Sequence, residues 1–329
     1  MINLNDLPMR VAIGQFSELT DEQLAFAKQV GADDVLLNTP RLPGDERWEY
    51  EDLLAWRRRA EEHGLRLITL ENVPVRFYDK IMLGQDGRER QLANMIATVR
   101  NMGRAGIPIL GYHWMPNSVW RTERAVPVRG GAISNSFDYA QAKEKPLTHG
   151  RVYDDEEMWA NYDWYMERML PVCEEAGVRM ALHPDDPPVP SLGGIARLFR
   201  SFDGFQRAME THPSPLHGLD FCHGCWSEMR GGAGVLDAIR YFGGQRRLFY
   251  IHLRDVVGKA EEKFTEVFLG DGNCNPVQTV KTLKEVGFNG FIIDDHVPHM
   301  VNDSPWAHRG RAWSTGYIKA LIDAANALT

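Results

Sequence analysis

The chain has 329 residues, 43% of them apolar and 25% charged, with a formal net charge of −8. That composition supplies a sizeable core, and the acidic balance argues against nucleic acid or an anionic membrane as the main partner, because both need a concentrated basic surface. No stretch approaches the roughly 18 consecutive apolar residues of a membrane span, and Met1-Ile-Asn-Leu-Asn-Asp6 has no basic segment followed by an apolar one, so no membrane partner and a cytoplasmic location are expected.

Short β-branched runs alternate with longer amphipathic stretches along the whole chain. Strands are predicted at 11–13, 34–37, 66–71, 108–114, 179–183, 218–222, 248–254 and 290–295. Helices are predicted at 21–30, 50–63, 88–105, 156–176, 195–210, 236–242, 277–286 and 312–327, several closing on a glycine such as Gly64, Gly177 or Gly287. Eight strand–helix pairs without a linker-like break predict a single α/β domain over 1–329, a (β/α)8 TIM barrel. One connection is abnormally long. Residues 115–153, after the fourth strand, carry mixed polar residues without a convincing period, and are expected to form a lid or specificity loop over the C-terminal rim.

The strand ends carry the chemistry. The fifth strand runs into Met180-Ala-Leu-His-Pro-Asp-Asp-Pro-Pro188, an apolar run stopping at His183 on a proline-stiffened loop. The sixth ends at Cys222, the seventh at His252 and Arg254, the eighth at Asp295 and His296. Neighbouring strands of a barrel deliver these residues to one rim, so imidazole, thiolate and carboxylate can surround a common divalent ion. Asp185 and Asp186 are expected to support that site by accepting hydrogen bonds. Four cysteines are too few for a disulfide scaffold. The Cys222-x-x-Cys225 pair has no second copy, which favours Cys222 as a ligand and Cys225 as a loop residue. Leu269-Gly-Asp-Gly-Asn-Cys274 lacks the ending of a phosphate loop and is predicted to be a turn.

On these residues the chain resembles the mannonate dehydratase family of the xylose-isomerase-like TIM barrels. Val178-Arg-Met-Ala-Leu-His-Pro-Asp-Asp-Pro-Pro188 carries the resemblance most specifically, with Glu71-Asn-Val-Pro74, Tyr112-His-Trp-Met-Pro116, Trp120-Arg-Thr122, Gly218-Leu-Asp-Phe-Cys222, His252-Leu-Arg254 and Asp295-His296 in the same order. The resemblance implies a cytoplasmic lyase that converts D-mannonate to 2-keto-3-deoxy-D-gluconate and water. It implies a divalent ion, manganese first and cobalt, iron or zinc as alternatives, held by His183, Cys222, His252 and Asp295, with His296 as general acid or base. Arg121, Arg254, Glu71 and His113 are expected to bind the small sugar acid, and a homo-oligomer is expected. The chain departs from the family where a catalytic tyrosine precedes the last helix: Arg311 or Ala312 stands there, and Tyr317 is the candidate replacement. Val75-Arg76-Phe77-Tyr78 also replaces a histidine and acids. Two other activities therefore stay open: sugar isomerisation or epimerisation, with His296 and Glu71 shuttling a proton, and a non-catalytic sugar-binding homologue.

Overall fold

In the computed structural model, which describes residues 4–327, eight parallel strands close on themselves. They are β1 (Arg10–Phe16), β2 (Asp34–Asn38), β3 (Arg66–Glu71), β4 (Ile109–Tyr112), β7 (Arg179–Leu182), β10 (His217–Cys222), β11 (Leu248–His252) and β14 (Phe291–Ile293), all within the predicted alternation. Because side chains alternate across each strand, Ala12, Leu36, Ile68, Ile109, Ala181 and Phe291 fill the inside while Val11, Ile13, Val35 and Leu37 face the helices. Gly111 in β4 is obligatory: a Cβ there would lie 2.2 Å from the Tyr250 hydroxyl, which crosses the interior from β11.

The outer ring comprises α1 (Asp21–Gln29), α2 (Tyr50–Glu62), α3 (Asp79–Met82), α4 (Arg88–Ala105), α6 (Asp155–Ala176), α7 (Phe202–Thr211), α8 (His223–Gly244), α9 (Pro276–Glu285) and α10 (His308–Ala327), with α5 (Tyr139–Ala142) outside it. Three helix starts differ from expectation. The helix expected from 195 begins at Phe202, because Ser191–Leu192 and Ile195–Ala196 pair as a small hairpin (β8, β9) and the Ser201 side chain caps the helix by accepting from the Gly204 N–H. The helix expected at 236–242 begins directly after Cys222, and the last one begins at His308.

The long connection is not a structureless loop. It forms β5 (Glu123–Pro127) and β6 (Ile133–Asp138), and β6 pairs with a hairpin inserted after β11, namely β12 (Asp255–Gly258) and β13 (Lys263–Val267). The result is a four-stranded antiparallel sheet, β12-β13-β6-β5, over its own apolar patch of Phe137, Val189, Val256 and Phe264. Its residues hid this from the sequence: β5 is nearly all exposed, and Ser136 is buried because its hydroxyl donates to the Phe264 carbonyl at 2.7 Å.

At the entry to β10, His217 is fully buried and donates from Nδ1 to the His212 carbonyl at 3.0 Å, leaving Nε2 as an acceptor beside the mutually bonded hydroxyls of Tyr112 (3.1 Å) and Tyr162 (3.2 Å). Burial pushes its pKa down to about 3 from an ordinary 6.5. The folded state therefore binds fewer protons than the unfolded chain between those values. Stability from this site is intact above pH 6.5 and is lost progressively as pH falls towards 3. Urea titrations across that range are expected to show the decline, and a His217→Asn protein, which does not titrate there, a shallower one.

Candidate active site

The residues marked at the strand ends converge. His183 follows β7, Cys222 closes β10, His252 closes β11, and Asp295 lies just beyond β14. One ligand atom each from His183, Cys222 and His252 lie within 4.8 Å of one another. Asp295 adjoins them, its Oδ2 3.8 Å from Cys222 Sγ and its Oδ1 3.9 Å from His252 Nδ1. The loop after β7 is stapled in place: the His183 N–H donates to the Tyr112 carbonyl at 2.8 Å, and the Asp185 carboxylate accepts from the Phe199 N–H at 2.6 Å.

Each imidazole is held by one nitrogen, so that the other faces this cluster. His183 Nδ1 lies 2.6 Å from the Pro184 carbonyl, which can only accept, so Nδ1 carries a proton and Nε2 is the nitrogen left for the cluster. His252 Nε2 lies 2.7 Å from Glu71 Oε2 and 3.5 Å from Asp220 Oδ1, which places its proton there and leaves Nδ1 buried with no hydrogen-bond partner. An imidazole oriented by a carboxylate on its far nitrogen is the usual arrangement at metal sites. Burial alone would raise the Cys222 thiol, but hydrogen bonding with Cys225 and the Arg254 charge override it and hold it well below the ordinary range, as a thiolate. Two imidazole nitrogens, a thiolate and a carboxylate fit a divalent transition-metal ion.

His296 stands at the edge of the cluster, its side chain 34% exposed, with Nδ1 2.7 Å from Glu266 Oε1 and Nε2 3.6 Å from Asp295 Oδ1. Burial works against its charge, but the Asp295 and Glu266 carboxylates prevail and hold its pKa above the ordinary value. These groups open onto a cavity of about 330 Å³ lined by Glu71, His113, His183, Asp186, Asp295 and His296, among others.

Several expected substrate contacts take a different place. Arg121 is buried and bonded to Asp186 (2.6 and 3.0 Å) and Glu266 (2.6 and 3.0 Å). Arg254 reaches Glu228 (2.8 Å), Asp295 (2.9 Å), Cys225 (3.1 Å) and Asp186 (3.3 Å). Their guanidinium groups are occupied by protein acceptors and do not line the cavity, so the expected grip on a substrate carboxylate gives way to a buried ionic lattice behind the wall. Cys225 belongs to that lattice, in the first turn of α8, rather than to a loop. Glu71 lines the cavity, but its oxygens face His252 and, at 3.3 Å, Asn38. His113 also lines it: Nδ1 accepts from the Met115 N–H at 3.1 Å, so Nε2 carries the proton, and burial pushes the pKa to about 3, making the ring a permanently neutral donor.

Tyr317 does not join the site. It stacks on Trp313 with centroids 5.2 Å apart and packs against the outer core, six residues and so roughly 9 Å of helix beyond Arg311. Arg311 instead donates to the Asp295 carbonyl (3.1 Å) and pairs with Asp294 (3.2 Å), fixing the backbone from which Asp295 projects. Three residues at or near the mouth escaped sequence reading, Gln15, Asn38 and Glu266, while Asp186, expected to accept hydrogen bonds at the site, accepts them from Arg121 and Arg254. Gln15 and Asn38 close β1 and β2 and were legible as polar strand ends; Glu266 lies on the unforeseen β13 and carried no such mark.

Comparison with known proteins decides the family. The sequence model described as D-mannonate dehydratase (UxuA) matches residues 9–150 and 143–329. This chain belongs to the D-mannonate dehydratase family. Mannonate dehydratase 2 of Halalkalibacterium halodurans is 27% identical over 340 residues, covering 95% of this chain and 96% of that protein. Mannonate dehydratase of Thermotoga maritima is 27% identical over 289 residues, covering 78% of this chain and 79% of that one. The crystal structure of mannonate dehydratase from Streptococcus suis serotype 2 superposes with a TM-score of 0.87 at 25% identity, covering 97% and 95% of the two chains. A D-tagatose 3-epimerase-like protein, with a TM-score of 0.65 at 13% identity, shares the fold alone. Among the described residues, no helix of this D-mannonate dehydratase family member is long and apolar enough to cross a membrane.

Proposed function

We propose that this chain is a hydro-lyase that converts D-mannonate to 2-keto-3-deoxy-D-gluconate and water, with a divalent ion, manganese first, held by His183, Cys222, His252 and Asp295. We place it in the cytoplasm, as a homo-oligomer. The observation that carries this is the buried His252 Nδ1, left without a partner by the Glu71 bond to its other nitrogen, beside a thiolate and a cavity, in a chain of this family. A bound divalent ion supplies neutralisation of the negative charge that grows beside the substrate carboxylate when the α-proton leaves.

Two of the chain's own groups are placed to serve the leaving hydroxyl and a substrate oxygen. Glu266 fixes His296 through Nδ1, so the ring presents Nε2 towards Asp295 and the cavity. The Asp295 and Glu266 carboxylates favour the protonated ring, suited to delivering a proton to the departing hydroxyl. His113 is kept neutral and donates a hydrogen bond from Nε2 to a substrate oxygen. The β5–β6 and β12–β13 sheet contributes Glu266 and carries the lid role expected of 115–153.

The test is a panel of aldonic and uronic acids incubated with manganese-loaded protein and assayed for 2-keto-3-deoxy acids. D-Mannonate is expected to yield that product, and His296→Gln to lower kcat by about 10²–10⁴-fold with metal content unchanged. Formation of an isomeric sugar without loss of water would replace the dehydratase with an isomerase or epimerase.

A further inference from the structure

The opposite end of the barrel carries a second cavity, of about 880 Å³. It is walled by Arg179 at the start of β7, by 213–215 ahead of β10, by residues of the turn from α8 into β11, and by 286–289 ahead of β14. β10 runs the six residues from His217 to Cys222, so its two ends lie roughly 17 Å apart, and a small molecule in this cavity does not touch the candidate metal site.

The charge of the lining is of one sign. Arg179, Arg246 and Arg247 contribute three guanidinium groups, and no aspartate or glutamate lines the space. Glu174, which accepts from Ser214 Oγ at 2.7 Å, and Glu285, paired with Lys281 at 3.8 Å, lie outside it. In a chain of net charge −8 this is a local reversal of sign.

Two of the arginines are placed against ordinary preference. Arg247 is half-buried, and its Nη1 donates to the carbonyls of Ser214 and of His217, the latter at 2.7 Å, which fixes the plane of the guanidinium. Among the described residues its Nε and Nη2 have no acceptor and no carboxylate pairs with it, so burial alone acts on its pKa and draws it below the ordinary arginine value. Arginines withdrawn from water elsewhere in this chain do meet a carboxylate: Arg10 and Arg66 share Asp34, Arg197 pairs with Asp185 at 3.5 Å and Arg311 with Asp294 at 3.2 Å. A desolvated cation without a counter-ion is costly, and an anion from solution removes that cost. Arg246, next to it and exposed, has φ of 58° just past the end of α8, where a helix usually places glycine. Such strain in a non-glycine residue gathers where a structure must aim a side chain at a ligand.

We propose that this cavity binds a phosphate monoester, a small metabolite whose phosphate group is gripped by Arg246 and Arg247 with Arg179 as a third positive wall. A carboxylate is matched by one guanidinium fork, whereas a doubly charged phosphate has oxygens for several. The volume lies within the ordinary range for small-ligand sites and leaves room for the ester's organic part.

Isothermal titration calorimetry of the manganese-loaded protein, without excess metal, tests this with glycerol 3-phosphate, inorganic phosphate and acetate. Glycerol 3-phosphate is expected to bind at one site per chain, at least as tightly as inorganic phosphate and about 10-fold or more tighter than acetate, and saturating D-mannonate is expected not to displace it. Arg246→Gly, which suits the left-handed backbone and so keeps the fold, is expected to weaken binding about 10-fold, the loss of one charge-assisted hydrogen bond, with D-mannonate turnover unchanged. Arg240→Gln, which removes the same charge from an exposed position of α8 outside the cavity, is expected to leave the affinity as it was. No saturable binding, an equal affinity in wild type and Arg246→Gly, or an equal loss in Arg240→Gln would overturn the site. Displacement by D-mannonate would move the anion to the metal site and overturn it too. Tighter binding of inorganic phosphate than of the ester, or acetate binding as tightly as either, would overturn the ligand class.

Discussion

His252→Ala is expected to leave the purified protein without bound divalent metal and to suppress D-mannonate dehydration far beyond the roughly 10–100-fold typical of losing an outer partner of a metal ligand. His252 is the centre of the candidate shell: one nitrogen is held by Glu71 at 2.7 Å, and the other is buried without a partner 3.9 Å from Asp295. Removing the ring deletes a donor and leaves Glu71 and Asp220 facing a void. His183→Ala and Asp295→Ala are expected to behave alike. Cys225→Ala is the control, because Cys225 meets Arg254 at 3.1 Å and supports the Cys222 thiolate without belonging to the His183, Cys222 and His252 cluster, and it should keep its metal. Metal content per chain by atomic spectroscopy decides it; equal loss in Cys225→Ala would shift the centre to the Cys-x-x-Cys pair.

The second large effect concerns stability. Arg254→Met is expected to destabilise the fold by about 3–5 kcal/mol, the cost of stranding buried charges whose partner is removed. The guanidinium is fully buried and bonds Glu228, Asp295 and Asp186 at once, and Glu228 is already pushed up to about 8 by burial. Arg254→Lys should recover little, since one ammonium cannot reach three separated carboxylates in the geometry of a planar fork. Equilibrium denaturation of metal-free wild type and variants measures this apart from any loss of bound ion. A change under about 1 kcal/mol would mean that the carboxylates relax or take up protons when the arginine is absent.

The barrel was readable because its signal is repetitive: eight apolar runs alternate with amphipathic stretches, and no competing pattern intrudes. The metal-competent residues were readable for the same reason, as each ends a strand. Legibility failed where neighbours decide conformation. Ile195 continues an apolar pattern that resembles a helix, yet it pairs with Leu192. Ser136 and Thr265 look like loop residues and lie opposite each other in a sheet. Arg121 and Arg254 invited a substrate role because a guanidinium matches a carboxylate; the sequence does not reveal that protein carboxylates have already met them. Tyr317 was chosen by residue type alone, and helical phase places it on the outer wall. The family motif carried the activity, while the orientation of every ring came only from the hydrogen bonds around it.

The sheet at the rim is assembled from two insertions more than a hundred residues apart, with Phe137 set opposite Phe264 and Thr265 opposite Ser136. Glu266, which anchors His296, sits on one insertion, and Arg121, which anchors Glu266, precedes the other. Neither insertion makes sense as a transferable module. Grafting one onto a related barrel would expose the edge of a strand and strip a buried acid of its counter-charge. Substrate range in this scaffold is therefore expected to be inherited and engineered through paired exchanges of both segments, with single-loop swaps yielding insoluble or inactive chimaeras.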